Sequence, residues 1–241
     1  MNKVRDIFMY YGRDLDHSYP ALRLNNTVAV LNKKAISQFE SHMLLKLIME
    51  THPNEISIFY NSVEDSVWSL VNDLKTSSKK GVPQFEEVYG DLTTEDLVSK
   101  IKYYKEILDE RISKNTNNKK TILYFRINQS QTSRIMEELV PLLEYGRQVN
   151  MFVVLLIESG NVTFDSNFYN SFPIRICGAG SSITTSECMI GCNLATRLNE
   201  DMAFILWTAN SSSALQKMFI PYYPDTFISK FIRIYSMKST N

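Results

Sequence analysis

The fold class is decided by residues 27–39, which read TVAVLNKKAISQF. Residues 27–31 are apolar and largely β-branched, a run that is typical of a strand buried in a parallel sheet. From residue 35 to residue 50, apolar side chains recur at three- and four-residue spacing, which predicts a helix with one apolar stripe. This stretch therefore predicts a strand followed by a helix, and the same alternation continues along the chain.

Six further apolar runs predict strands, at residues 56–60, 121–125, 151–157, 173–177, 203–207 and 218–220. Helices are predicted at residues 64–74, 95–113, 132–148 and 186–198 and after Asp225, whereas residues 75–91 are predicted to be a loop because glycine, proline and serine are frequent there. Strands that alternate with helices form a mainly parallel sheet covered on both faces. Since no repeat or linker divides the chain, we predict one α/β domain over residues 1–241.

The turn between the first strand and its helix is where a phosphate-binding loop would lie. Such a loop needs glycines, whose backbone N–H groups wrap the phosphates, together with a Lys and a Ser or Thr. The corresponding positions are Asn32, Lys33, Lys34 and Ser37, and residues 13–80 contain no glycine. The two lysines could attract an anion to the helix N-terminus, although solvated loop lysines are the simpler interpretation. Tight binding of ATP and magnesium is not expected.

Nucleotide hydrolysis also needs a carboxylate at the end of a later strand, where it holds magnesium and polarises water. The strand at residues 121–125 continues instead into Arg126, and the next acid, Glu137, lies within the following helix. Glu158 ends the next strand, where a polar residue that closes a strand is the simpler interpretation. The alternative that stays open is a weakly active nucleotide hydrolase with an unconventional phosphate loop, which would use an acid such as Glu158.

Other catalytic patterns are weaker. The glycines of residues 178–180 lack the third glycine of a dinucleotide-binding loop, so a plain turn is expected. Cys188 and Cys192 lie four residues apart, but no second pair of Cys or His completes a zinc site, so we expect free thiols and no metal. Lys plus Arg number 26 and Asp plus Glu also 26, without the basic excess that is usual in nucleic-acid binders. We therefore predict no nucleic-acid partner.

Three further segments point to one family: LLEYGRQVN at residues 142–150 before an apolar strand, FPIRI at residues 172–176 before a serine-rich turn, and NEDMAF at residues 199–204. Together with the strand–helix unit they resemble FtsK/SpoIIIE-type P-loop ATPase domains, in particular the last ATPase-like domain of the EssC coupling proteins of type VIIb secretion systems. Residues 27–31 are similar to the strand before the family's Walker A loop, and residues 121–125 are similar to its Walker B strand.

The resemblance implies a RecA-like three-layer αβα sandwich with a mainly parallel central sheet, which is the P-loop NTPase fold, with degenerate motifs. The degenerate Walker A positions are Asn32, Lys33, Lys34 and Ser37, and the degenerate Walker B position is Arg126. Terminal domains of that family are often degenerate and are linked to substrate recognition or to regulation of the motor. We therefore expect a non-hydrolysing domain without ATP or magnesium, from the C-terminal part of a larger membrane-anchored protein on the cytoplasmic side of the membrane.

The resemblance also implies partners: secreted small helical-hairpin proteins, neighbouring ATPase domains of the same chain, and further copies in an oligomer. Aromatic residues around short loops in the C-terminal third form a candidate partner-binding site, namely Trp207, Tyr222, Tyr223 and Phe227. Such residues dominate the energetics of interfaces. Ordinary core packing explains them equally well from the sequence.

Overall fold

A computed structural model describes residues 6–61, 66–71, 81–90, 92–114, 119–158, 166–209 and 215–238. The strands within these residues are β1 (Phe8–Tyr10), β2 (Ala21–Arg23), β3 (Thr27–Leu31), β4 (Ile56–Asn61), β5 (Phe85–Tyr89), β6 (Lys120–Ile127), β7 (Met151–Glu158), β8 (Ile174–Gly178), β9 (Ala203–Thr208) and β10 (Leu215–Phe219). The helices are α1 (Lys33–Glu50), α2 (Thr94–Lys114), α3 (Thr132–Tyr145), α4 (Ser166–Asn170), α5 (Ile183–Ile190) and α6 (Asp225–Lys238).

One sheet holds eight of these strands in the order β10-β9-β8-β3-β7-β6-β4-β5. The six strands from β8 to β5 run parallel, whereas β9 and β10 pair antiparallel at one edge. The mainly parallel sheet predicted from the sequence is thus confirmed. Because the neighbours of β3 on both sides come later in the chain, the carboxyl end of β3 is a topological switch point, the usual place for a ligand in such a sheet.

Helices cover both faces of the sheet, so the fold has three layers. On one face the core is formed with α1 and α6, and the small hairpin β1–β2 closes over α1 from outside. On the other face it is formed with α2, α3 and α5. Helix α1 therefore has protein on two sides, which explains why Glu40, Ser41 and His42 are buried as well as its apolar stripe.

The sequence predictions hold best for the buried strands and the long helices. The last predicted strand begins earlier than expected, as β10, and residues 85–89, predicted to be a loop, form β5. Backbone hydrogen bonds to β4 stabilise β5, and the Gly and Pro residues that suggested a loop lie outside it. The hairpin β1–β2 was not predicted because its three-residue strands are too short to show a period. Of the helix predicted at residues 64–74, Val67–Ser69 form a 3-10 turn, and residues 64, 65 and 72–74 lie outside the described part.

Candidate functional site

The connection from β3 to α1 is a single residue, Asn32. The side-chain oxygen of Asn32 accepts a hydrogen bond from the backbone N–H of Ala35 at 2.8 Å, and its backbone carbonyl accepts one from Ile36 at 2.9 Å. Asn32 is therefore an N-cap, which satisfies donors that would otherwise be open at the start of the helix. A phosphate-binding loop takes about eight residues from its first glycine to its Ser or Thr. This connection is too short to wrap a phosphate chain.

The crevice beside Asn32 is closed by two other connections of the same sheet edge. The Asn32 side-chain amide donates to the backbone carbonyl of Asp201 at 3.0 Å and to that of Ala179 at 3.4 Å. Lys34 forms an exposed ion pair with the Asp201 carboxylate at 3.4 Å. The glycine-containing turn after β8 lies close to β3, since a Cβ at Gly178 would come within 2.6 Å of the Leu31 side chain. The switch point is thus filled by the chain itself.

Arg126 lies near the end of β6, at the predicted Walker B position, and its side chain is only 5% exposed. Its Nη1 atom lies 3.4 Å from Oε2 of Glu40 on α1 and 3.4 Å from the Ser37 hydroxyl. The structure therefore brings together two positions that the sequence suggested, Ser37 and Arg126. Glu40, which contacts Arg126, was not predicted as a site residue. Its one signal in the sequence is that an acidic residue lies among the apolar residues of the helix at residues 35–50.

Glu40 is the centre of a buried polar network. Its Oε2 atom accepts a hydrogen bond from the Ser66 hydroxyl at 3.0 Å, and the Tyr60 hydroxyl lies 3.1 Å from the same Ser66 oxygen. Within the described residues, Oε1 has no hydrogen-bond partner. Burial raises the pKa of the Glu40 carboxyl, and the Arg126 charge is the largest of the effects that oppose this rise. The contacts of this buried carboxylate are thus made through Oε2, with Arg126 and Ser66.

These contacts fit ATP and magnesium poorly. A guanidinium paired with Glu40 stands where a magnesium-binding carboxylate would be needed, and it offers no oxygen as a ligand. Glu158 lies at the end of β7, beside Leu31 in the sheet, and is partly exposed. In the part of the chain that the structure describes, no group of three or more His, Cys, Asp or Glu side chains is placed to hold a metal ion. The three cysteines carry free thiols.

The four predicted partner-binding aromatics do not share one pocket. Trp207 packs against the core on the α2–α3 side of the sheet, with the Arg175 guanidinium 4.1 Å from its ring centre. Tyr223 packs on the opposite, α1 side. Consecutive side chains of β9 point to alternate faces of the sheet. Leu206 therefore faces the α1 side, with Tyr223, whereas Trp207 faces the other side. A pocket between Trp207 and Tyr222 or Phe227 is therefore not formed.

Tyr223 contacts α1 and stacks on Phe227, and Tyr222 adjoins them in the chain. Gln38 accepts a hydrogen bond from the Tyr223 backbone N–H at 2.7 Å and donates to its carbonyl at 3.2 Å. The Tyr223 ring stacks between His42 and Phe227, with ring centres 5.9 and 6.0 Å apart. Tyr222 and Phe227 are 70% and 50% exposed. We call Tyr222, Tyr223 and Phe227 the C-terminal aromatic surface.

Several solved structures of ATPase domains superpose on this chain. The cytoplasmic domain of the type VII secretion ATPase EccC from Thermomonospora curvata superposes with a TM-score of 0.72 at 12% identity, over 98% of this chain and 32% of EccC. EssC (ATPases 2 and 3) from Geobacillus thermodenitrificans superposes with a TM-score of 0.69 at 12% identity, over 99% of this chain and 49% of the EssC chain. The chain has the fold of these ATPase domains.

A third similar structure is that of Thermomonospora curvata EccC (ATPases 2 and 3) in complex with a signal sequence peptide, with a TM-score of 0.59 at 9% identity over 90% of this chain and 41% of that one. The chain thus spans a third to a half of the length of these three solved chains. No protein-family model and no curated protein matches its sequence. The fold that the resemblance implied is confirmed. Among the described residues, no helix is both long and apolar enough to cross a membrane.

Proposed function

We propose that this chain is a non-hydrolysing ATPase-like domain of a type VII secretion coupling protein, acting in substrate recognition, in regulation of the secretion motor, or in both. The observation that carries the proposal is the one-residue connection at Asn32, which leaves no loop to hold a triphosphate. The buried Arg126–Glu40 pair supports it further, because the charge at the strand end is already neutralised within the protein. ATP and magnesium are therefore not bound tightly.

The solved neighbours support the second part of the proposal. They are type VII secretion ATPases, and one of them was solved with a signal sequence peptide. We infer two kinds of partner for this chain: the signal tails of secreted small helical-hairpin proteins, and neighbouring ATPase domains of the same protein, which in turn forms an oligomer. In this proposal the domain acts on the cytoplasmic side of the membrane as part of a larger membrane-anchored protein, without nucleic acid.

The C-terminal aromatic surface is the proposed contact for such a tail. Tyr222 exposes most of its area and Phe227 half, while Gln38 and His42, both on α1, hold Tyr223 against that helix. An aromatic ring that is fixed from behind loses little conformational entropy when a partner covers it. A bound apolar side chain would remove about 150–250 Å² per ring from water. This surface is therefore suited to an apolar anchor of a short peptide.

Calorimetry with the non-hydrolysable analogue ATPγS and magnesium tests the non-hydrolysing part. We expect no saturable heat at micromolar concentrations, and no ATP turnover above that of a Lys33→Ala/Glu158→Ala variant. These two residues are the ones that an unconventional phosphate site would use. Micromolar affinity, or turnover that the double variant abolishes, would establish the active hydrolase instead.

Fluorescence anisotropy with labelled C-terminal tails of secreted helical-hairpin proteins from the same organism tests the recognition part. Tyr222→Ala and Phe227→Ala should each weaken binding about 30-fold, which corresponds to ~2 kcal/mol for an anchor residue. Tyr145→Ala is the matched control, because Tyr145 is 48% exposed and lies on α3. Equal effects of the three substitutions would place the contact elsewhere, and the absence of binding to any tail would refute recognition by this domain.

A further inference from the structure

Helix α6 has an apolar stripe on the side that it turns to solvent. Its residues Ile228 and Ile232 are buried in the core that α6 forms with α1. Phe227 and Ile234, by contrast, are 50% and 48% exposed, and Phe231 between them is partly buried. Residues at i, i+4 and i+7 line up along one side of a helix, here over about 10 Å. We call Phe227, Phe231 and Ile234 the α6 stripe.

Two cations lie beside the α6 stripe, on the side away from the core. Lys230 and Arg233 are both exposed, and neither forms an ion pair with a described residue. On α2, by contrast, Lys105 pairs with Glu138 of the neighbouring helix. Asp225, the one acid in the sequence of α6, lies in its first turn. The solvent side of the stripe therefore carries positive charge that no described acid pairs.

Three kinds of surface could cover this face, and the charge distinguishes them. A second copy of the chain would bring the same two cations against their counterparts in a two-fold contact, and like charges repel. Segments that bind anionic membranes usually carry about four to eight basic residues. Of the α6 side chains that the structure describes, only Lys230 and Arg233 are basic. An acidic helix with an apolar stripe of its own matches both the apolar residues and the two cations.

We propose that the α6 stripe is a docking surface for an acidic amphipathic helix of a partner protein. Apolar residues of the partner at three- and four-residue spacing cover the stripe, and carboxylates beside them pair with Lys230 and Arg233. A contact of about three helical turns buries less than the ~1,200 Å² of a stable interface, so we expect a transient complex. As a contact of a secretion partner it rests on the proposed role in recognition, but it shares only Phe227 with the C-terminal aromatic surface.

Fluorescence anisotropy with three labelled synthetic peptides tests the chemistry of this surface. Each peptide has about 18 residues, or five helical turns, and the same stripe of leucines at three- and four-residue spacing. The peptides differ only at the positions beside the stripe, which are all Glu, all Gln or all Lys. We expect a Kd on the order of 10 μM for the Glu peptide and binding about five-fold weaker for the Gln peptide, as for two exposed ion pairs. The Lys peptide should not bind, and salt should reduce the advantage of the Glu peptide.

Variants of the chain place the contact on α6. Lys230→Glu/Arg233→Glu should reverse the preference, so that the Lys peptide binds better than the Glu peptide. Ile234→Ser should weaken binding of the Glu peptide about five-fold, because part of the apolar contact is lost. Arg197→Glu, in an exposed 3-10 turn, and Ile112→Ser, 45% exposed on α2, are the matched controls and should leave binding unchanged. Circular dichroism checks that each variant is folded.

Several outcomes overturn the proposal. They are equal binding of the Glu and Lys peptides, no saturable binding of any peptide, and equal effects of the α6 and control variants. A dimer seen in sedimentation velocity without peptide and lost in Ile234→Ser would make a second copy the occupant instead. Binding to phosphatidylserine vesicles without peptide binding would make a membrane the occupant. Because the peptides contain no signal tail, their failure leaves tail recognition standing, and failure of the tails to bind leaves the peptide result standing.

Discussion

Removing the Arg126 guanidinium tests the buried polar network around Glu40. Arg126→Met keeps a side chain of similar reach but leaves Glu40, whose side chain is 1% exposed, without its ion-pair partner. Ser66 and Tyr60 remain as hydrogen-bond donors. Loss of one member of a buried ion pair costs about 3–5 kcal/mol, because the other charge stays buried without compensation. We expect the free energy of unfolding at pH 8 to fall by about that amount.

The loss should depend on pH in a defined direction. The pKa of Glu40 is raised from its usual 4.5 by burial, and without Arg126 it should rise further. A carboxyl whose pKa is higher in the folded than in the unfolded state binds its proton more tightly when folded, so stability falls as pH rises above 4.5. Each unit by which the pKa of Glu40 rises in the folded state corresponds to about 1.4 kcal/mol in the free energy of unfolding. The variant should therefore lose less stability at pH 5 than at pH 8.

Urea denaturation followed by circular dichroism at pH 5 and pH 8 measures both effects. Arg134→Met is the matched control, since Arg134 pairs with Glu95 on the surface and its loss should cost at most about 1 kcal/mol. The double variant Glu40→Gln/Arg126→Met should be more stable at pH 8 than Arg126→Met alone, because no charge is then left buried. If Arg126→Met costs no more than Arg134→Met, or costs the same at both pH values, then Arg126 does not compensate a buried Glu40 charge.

Three further predictions concern single residues. Asn32→Ala removes the N-cap of α1 and the hydrogen bond from Asn32 to the turn before β9. The free energy of unfolding in urea should therefore fall by about 1–2 kcal/mol. An unchanged value would contradict the role of Asn32 in closing the crevice. Burial raises the pKa of the Cys177 thiol to about 11. At pH 8, Cys177 should therefore react with Ellman's reagent more slowly than Cys188 and Cys192. In urea, all three thiols should react at the same rate. Burial lowers the pKa of His42 to about 4 from 6.5, so the stability linked to its neutral ring is present above pH 6.5 and is lost as pH falls toward 4. An NMR titration should show this low pKa, and His42→Gln should flatten the loss of stability in acid.

The fold class and the missing phosphate loop could be predicted from local sequence. Residues 27–31 and 151–157 are apolar throughout, and only strands that are buried on both faces need such runs. The absence of glycine from residues 13–80 is likewise a local fact, and it excludes a loop whose backbone wraps phosphate. In the structure, the connection between β3 and α1 is Asn32 alone.

The composition of the site could not be predicted, because its members are distant in sequence. Arg126 and Glu40 are 86 positions apart and meet only because β6 and α1 pack at the same end of the sheet. Trp207 and Tyr223 are close in sequence but lie on opposite faces of the sheet. The face that the chain packs against after β10 depends on how the helices are arranged on both sides of the sheet. Local sequence indicates which segments form buried strands, and it shows that no glycine-rich loop follows residues 27–31, because both features depend on neighbouring residues. Tertiary structure alone decided which charges pair and which aromatic rings stay exposed, because burial and distance are set by elements far apart along the chain.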